Sequence, residues 1–249
     1  QHGHLAAGVP GAVARIFAAH KYAKLPFEKL IQPAIELAEK GFVITEGEAR
    51  GLNHSAEEFA QYNTILPAFV KPGGWKAGDT LVQKDLANTL KRIRDRGQAG
   101  FYEGETARLI VEEMQRGGGI ISAEDLKQYT AKERPAVIFD YKGYSIITMP
   151  LPSSGGVLLP QMMNMIATQP VKQYGFNSVQ AVQLMTEIER RAYADRAKYL
   201  GDADFFKVPV QKLISEPYAK ERMKDYDPQK AGSSVATQAG ILPESEETT

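Results

Sequence analysis

The sequence predicts an α+β fold that is mostly helical, and three observations predict it. Apolar residues recur at three-to-four spacing through most stretches between glycine and proline punctuation. Only one stretch, 136–149, alternates like two paired strands around a tight turn. The apolar helical faces also exceed what one strand pair can cover, so another part of the same protein is expected to complete the core.

Pro10-Gly11 opens the first helix, with Ala12, Val13, Ile16, Phe17 and His20 in register. Leu25-Pro26 opens the second: Phe27, Leu30, Ile31, Ala34, Leu37 and Ala38 align, and Gly41 takes the place of a helix-ending glycine. Pro33 within that run predicts a kink or a restart, because it has no N–H to donate. Residues 43–62 predict a third, more charged helix, followed by the Lys71-Pro72-Gly73-Gly74 turn. Leu86, Leu90 and Ile93 form a stripe within 84–96 that ends at Gly97, and Ala107, Ile110, Val111 and Met114 repeat the pattern up to Gly117. Ser122 with Asp125 three residues later predicts a capping box. The 136–149 stretch reads as a hairpin turning at Asp140–Gly143. Helices at 155–168 and 178–200, a short one near 215–225 and a polar end follow.

The chain has 249 residues, with Lys+Arg and Asp+Glu both at 30. A net charge of zero argues against a binder of phosphate backbones, so no nucleic-acid partner is expected. No apolar run approaches the roughly 20 residues that cross a bilayer. The absence of cysteine excludes thiolate chemistry and disulfides. The four histidines (His2, His4, His20 and His54) include no H-E-x-x-H pair, and no G-x-S-x-G occurs. His2 and His4 have a spacing that suits either one face of a metal-holding strand or a terminal loop. The chain starts at Gln1 without Met or leader and ends in an acidic stretch, so it reads as a piece of a longer protein.

Pro152-Ser153-Ser154-Gly155-Gly156 leads straight into a helix. It suits either a small anion on free N–H groups or a capped, closely packed helix start. In the 178–200 helix, Val182, Met185, Ile188, Ala192, Asp195 and Tyr199 share one face. Asp195 therefore sits on an apolar stripe and needs a partner or a catalytic role. Arg190, Arg191 and Arg196 are the expected partners, and Glu187 with Arg190 or Arg191 reads as a surface pair. Gly201-Asp202-Ala203-Asp204 lacks the later positions of a calcium loop and reads as a turn. The Met162, Met163 and Met165 cluster reads as packing. Trp75, beside a Gly-Gly turn, is either a loop aromatic or a surface for a substrate. The closing Thr248-Thr249 is either a polar end or a latent nucleophile. A hydroxyl needs a base beside it, and an N-terminal Thr carries one in its own α-amine, with a pKa of about 7.7–8 once freed.

Eight stretches in order resemble the γ-glutamyltranspeptidase family. They are His4-Leu-Ala-Ala-Gly-Val-Pro-Gly11, Leu30-Ile-Gln-Pro-Ala34 with Leu37-Ala-Glu-Lys-Gly41, Gly78-Asp-Thr-Leu-Val-Gln83 and Phe101-Tyr102, then Gly118-Gly-Ile-Ile-Ser-Ala-Glu-Asp-Leu126, Pro152-Ser-Ser-Gly-Gly156, Tyr193-Ala-Asp-Arg196 and Tyr199-Leu-Gly-Asp202. The resemblance implies a precursor that cleaves itself into a large and a small subunit, within the N-terminal-nucleophile hydrolases and their αββα sandwich. Residues 1–240 then form a helical part of the large subunit with the hairpin near 136–149, and 241–249 form the linker and processing junction. Thr248 is implied as the nucleophile, freed by cleavage of Glu247–Thr248, with Thr249 as its neighbour.

The implied chemistry is transfer of a γ-glutamyl group from glutathione or a similar small molecule, through an acyl-enzyme, to water or an amino-acid or peptide amine. No metal and no organic cofactor are implied. The implied protein partners are the enzyme's own small subunit and the N-terminal part of the large one. Those parts hold the oxyanion hole and the arginine for the substrate α-carboxylate, so no substrate-binding residue is assigned in this chain and the chain alone is expected to be inactive. A periplasmic or secreted location is implied. Two other readings stay open: a relative acting on cephalosporin side chains or poly-γ-glutamate, and a non-catalytic helical module binding an anion at Ser153–Gly156.

Overall fold

The computed structural model describes residues 3–63 and 65–242. The chain divides into two compact units, one up to Lys132 and one from Glu133 onward.

The first unit is built from helices α1 (Ala12–His20), α2 (Phe27–Lys40), α3 (Glu46–His54), α4 (Ala56–Tyr62), α5 (Lys84–Arg96), α6 (Ala99–Tyr102), α7 (Gly104–Arg116) and α8 (Ala123–Gln128). Its punctuation follows the sequence. Pro26 precedes α2, and Gly41 closes it at φ 84°, donating its N–H to the Leu37 carbonyl. Ser122 and Asp125 form the expected capping box at α8. The core gathers Val13, Ala14, Ile93, Tyr102, Ala107, Ile121 and Leu126. At Gly100 a Cβ would stand 2.0 Å from the Arg92 carbonyl oxygen, so the close approach of α6 to α5 requires glycine.

The structure departs from several local expectations. Of the two outcomes expected at Pro33, a restart does not occur: α2 is one helix from Phe27 to Lys40 with Pro33 inside it. The buried face of α2 is centred on Ile35 and Ala38, while Leu30 and Leu37 are exposed. The 43–62 helix is two helices, because the chain breaks at Ser55; α3 starts at a Thr45–Glu48 capping box. The hairpin is not the only β structure. The two-residue strands β1 (Phe42–Val43) and β2 (Thr80–Leu81) pair antiparallel and are too short to show a period. They close a small core of Ile44, Ala49, Trp75 and Leu81. Trp75 is thus a buried anchor, donating Nε1–H to the Phe69 carbonyl at 2.7 Å, and not a surface for a ligand.

The second unit carries the expected hairpin, β3 (Val137–Tyr141) and β4 (Tyr144–Thr148), with Ile138 opposite Ile147. Helices α9 (Gly155–Ala167), α10 (Val179–Tyr199), α11 (Val210–Leu213) and α12 (Glu216–Arg222) follow. Leu158, Met165, Leu184, Ile188, Ala192, Ala219 and Met223 form its main core, which places Met165 in packing as expected. On α10 the buried face is Leu184, Ile188, Ala192 and Asp195, whereas Val182 and Met185 are exposed; the expected stripe is offset at its start.

Candidate functional site

The most elaborate polar assembly in the second unit lies along α10. Every fourth residue there carries a hydrogen-bonding side chain: Gln183, Glu187, Arg191, Asp195 and Tyr199. Residues four apart form one ridge on a helix. Along this ridge runs an irregular segment, 225–242. Gln183 Nε2 donates to the Asp227 and Lys230 carbonyls at 3.0 and 3.1 Å. Glu187 Oε1 accepts the Gly232 N–H at 2.8 Å. Asp195 Oδ1 accepts the Gly240 N–H at 2.7 Å, and the Tyr199 hydroxyl donates to the Gly240 carbonyl at 2.5 Å. The segment therefore parallels α10 and is gripped level by level.

Asp195 is fully buried. Its Oδ2 accepts from Gln161 Nε2 at 2.5 Å and from Arg222 Nε at 3.1 Å. Arg222 also donates to the Arg191 and Gln238 carbonyls at 3.0 and 3.1 Å. Asp195 thus has an ion-pair partner, but that partner comes from α12. Of the arginines expected to neutralise it, Arg191 pairs with Glu187 and Asp225, Arg190 lies against Glu187, and Arg196 donates to Ser154 Oγ. Tyr218, beside Asp195, buries its hydroxyl; burial and then the Asp195 charge push its pKa well up. Glu187, Arg191, Tyr218, Arg222, Asp225 and the overlying segment line a cleft of about 800 Å³.

Glu187 and Arg191 are not a surface pair. They are 4% and 7% exposed and meet at 2.7 Å. Burial alone would raise the Glu187 carboxyl. Hydrogen bonds from Arg191 and from the Gly232 N–H outweigh it and leave the pKa below its ordinary 4.5. A depressed folded value means that Glu187 stabilises the fold fully above pH 4.5 and that this contribution disappears as pH falls through the lowered value. Glu187→Gln is expected to lower stability at neutral pH and to flatten its decline in acid. Urea midpoints measured between pH 7 and 3 check this, and parallel curves for the two proteins would refute it.

Ser154 sits at the α9 N-cap without a side-chain cap bond, so its hydroxyl does not satisfy the orphan donors there. Gly156 does permit close packing, since a Cβ would stand 1.7 Å from the Met149 carbonyl oxygen. His4 lies in a short 3-10 turn, not a strand, with Nε2 2.8 Å from Glu113 Oε1. Among the described residues no cluster of three or more His, Cys, Asp or Glu could hold a metal, and no helix is long and apolar enough to cross a membrane. Asp202 and Asp204 form a turn tied to Arg134, the latter at 2.8 Å. Thr248, Thr249 and the Glu247–Thr248 bond lie outside the described residues, as does His2.

Comparison with known proteins agrees with this architecture. Residues 1–249 match the family model described as gamma-glutamyltranspeptidase. The chain belongs to the γ-glutamyltranspeptidase family. The glutathione hydrolase proenzyme of Escherichia coli K12 is 43% identical over 242 residues, covering 96% of this chain and 42% of that protein. The proenzyme of Pseudomonas sp. strain A14 is 42% identical over 244 residues, covering 97% and 42%. The crystal structure of Helicobacter pylori gamma-glutamyltranspeptidase superposes with a TM-score of 0.90 at 40% identity, over 99% of this chain and 72% of that one. The fold is therefore part of the N-terminal-nucleophile hydrolase fold of γ-glutamyltranspeptidases. The chain spans about two-fifths of the length of the curated relatives it matches, which are proenzymes. The α10 ridge had a visible signal, the spacing of four from Gln183 to Tyr199. What the spacing did not show was the segment that the ridge would hold.

Proposed function

We propose that this chain is the large-subunit portion of a glutathione hydrolase and γ-glutamyl transferase that leads into its self-cleavage junction. The match of the family model to all residues 1–249, a stretch that includes Glu247-Thr248-Thr249, carries this reading. Thr248 is the nucleophile. Cleavage of Glu247–Thr248 frees its α-amine, which takes the hydroxyl proton as the oxygen attacks the γ-glutamyl amide carbonyl. Donors aimed at the developing oxyanion stabilise the tetrahedral intermediate. The leaving amine takes that proton from the α-ammonium, and water or an amino-acid amine then attacks the γ-glutamyl ester, transferring the γ-glutamyl group and returning the Thr248 hydroxyl. No metal or organic cofactor enters these steps. The partners are the enzyme's own small subunit and the N-terminal part of the large one, and the location is periplasmic or secreted. The relatives named glutathione hydrolase favour this reading over a cephalosporin acylase, a poly-γ-glutamate transferase or an anion-binding module.

The test uses the whole protein that contains this sequence. N-terminal sequencing of its smaller fragment is expected to begin Thr248-Thr249, and the cleaved protein is expected to release p-nitroaniline from γ-glutamyl-p-nitroanilide. The 249-residue chain alone is expected to release none. A cut elsewhere, or turnover by this chain alone, would overturn the assignment.

A further inference from the structure

Gly240 is held in an unusual way for a residue outside any helix or strand. Its N–H and its carbonyl are both taken by side chains of α10 one turn apart, Asp195 at 2.7 Å and Tyr199 at 2.5 Å. Loop backbone is ordinarily satisfied by water or by its own turn. Here Asp195 is fully buried and is itself fixed by Gln161 and Arg222. Arg222 adds a bond to the Gln238 carbonyl, and Leu242 packs with Leu151, Val157, Leu213 and Tyr218. The backbone is thus pinned at three alternate residues. The pinning also demands glycine: a Cβ on Gly240 would stand 2.4 Å from the Tyr218 hydroxyl and 2.5 Å from Arg222 Cδ.

We propose that Asp195, Tyr199 and Arg222 are positioning residues for self-cleavage, clamping Gln238–Gly240 so that the junction is presented from a fixed point. Glu247 follows Gly240 by seven residues, and the intervening Ile241-Leu242-Pro243-Glu244-Ser245-Glu246 offers little apolar surface beyond the first two. Six residues reach at most roughly 20 Å from their anchor. An anchor at Leu242 therefore tethers Thr248 by six residues instead of by the whole stretch from α12, and a shorter tether raises the frequency of a reactive approach. None of the three side chains is assigned to the turnover of substrate. This inference rests on the reading of Thr248 as nucleophile.

The experiment compares Tyr199→Phe, Gly240→Ala and Thr248→Ala with wild type in the whole precursor. Tyr199→Phe removes one hydroxyl and leaves the ring in place, so it keeps the fold where an Asp195 variant would threaten it. The readouts are the first-order rate of precursor cleavage and the γ-glutamyl-p-nitroanilide turnover per cleaved molecule. Thr248→Ala is expected not to cleave. Tyr199→Phe and Gly240→Ala are expected to cleave about tenfold more slowly, with turnover per cleaved molecule within about twofold of wild type. Wild-type cleavage rates in both variants, with Thr248→Ala inert, would overturn the clamp alone. A parallel fall of cleavage and turnover would also overturn it, since a general loss of structure moves both. Cleavage of Thr248→Ala would overturn the nucleophile assignment instead.

Discussion

Thr248→Ala in the whole precursor is expected to abolish both self-cleavage and γ-glutamyl turnover. With Thr248 as the proposed nucleophile, its hydroxyl attacks the carbonyl of Glu247 in self-cleavage, and the same oxygen attacks the γ-glutamyl carbonyl in turnover. Alanine supplies no oxygen for either. Removal of a covalent nucleophile ordinarily costs more than about 10³-fold in rate, because the remaining binding groups can only orient water. Thr248→Ser keeps both the hydroxyl and the α-amine that follows cleavage, so it is expected to retain both activities at reduced rates. The amine titrates at about 7.7–8 when unperturbed, so turnover by the cleaved enzyme should rise as pH climbs through that region, while precursor cleavage, which precedes the free amine, need not follow the same curve. Gel analysis and turnover assays on the three proteins decide this. A cleaved and active Thr248→Ala protein would remove the nucleophile assignment altogether.

What could be read without coordinates was whatever local chemistry dictates. Pro26 and Gly41 bracket α2, and Ser122 with Asp125 caps α8, because these residues satisfy or omit backbone donors within a few positions of themselves. The 137–148 hairpin was legible because alternation and its turn both lie within one stretch. The misses are non-local. β1 and β2 are two residues each, and their pairing joins Phe42 to Leu81 across the intervening helices. An i,i+4 pair such as Glu187–Arg191 looks the same in sequence whether water or another segment covers it. The covering segment, 225–242, has no period of its own to announce it. Likewise the charge on Asp195 was correctly read as needing a partner, but Arg222 lies a helix away and Gln161 on another. The proposed nucleophile, Thr248, rests on resemblance alone, since two closing threonines carry no local signal of chemistry.

Asp195→Ala is expected to destabilise the second unit by about 3–5 kcal/mol, the cost of removing one partner from a buried ion pair. Three donors would lose their acceptor at once: Gln161 Nε2, Arg222 Nε and the Gly240 N–H. Arg222, whose side chain is 11% exposed, would be left as a buried and partly uncompensated cation. A pair of this kind at the surface would be worth under about 1 kcal/mol, so the measured value separates the two situations. Asp195→Asn keeps an oxygen for the Gly240 N–H but loses the charge and turns the acceptor facing Gln161 and Arg222 into a donor, and is expected to cost about 1–3 kcal/mol. The decisive arm is the double variant Asp195→Leu with Arg222→Met. Replacing both ions by apolar groups removes the stranded charge, so the double variant is expected to recover much of what Asp195→Ala loses. It cannot recover the grip on Gly240, which needs an acceptor on α10. Stability and precursor cleavage should therefore part company in that protein: urea midpoints return toward wild type while the cleavage rate stays low. Recovery of both would mean that Asp195 serves the fold alone.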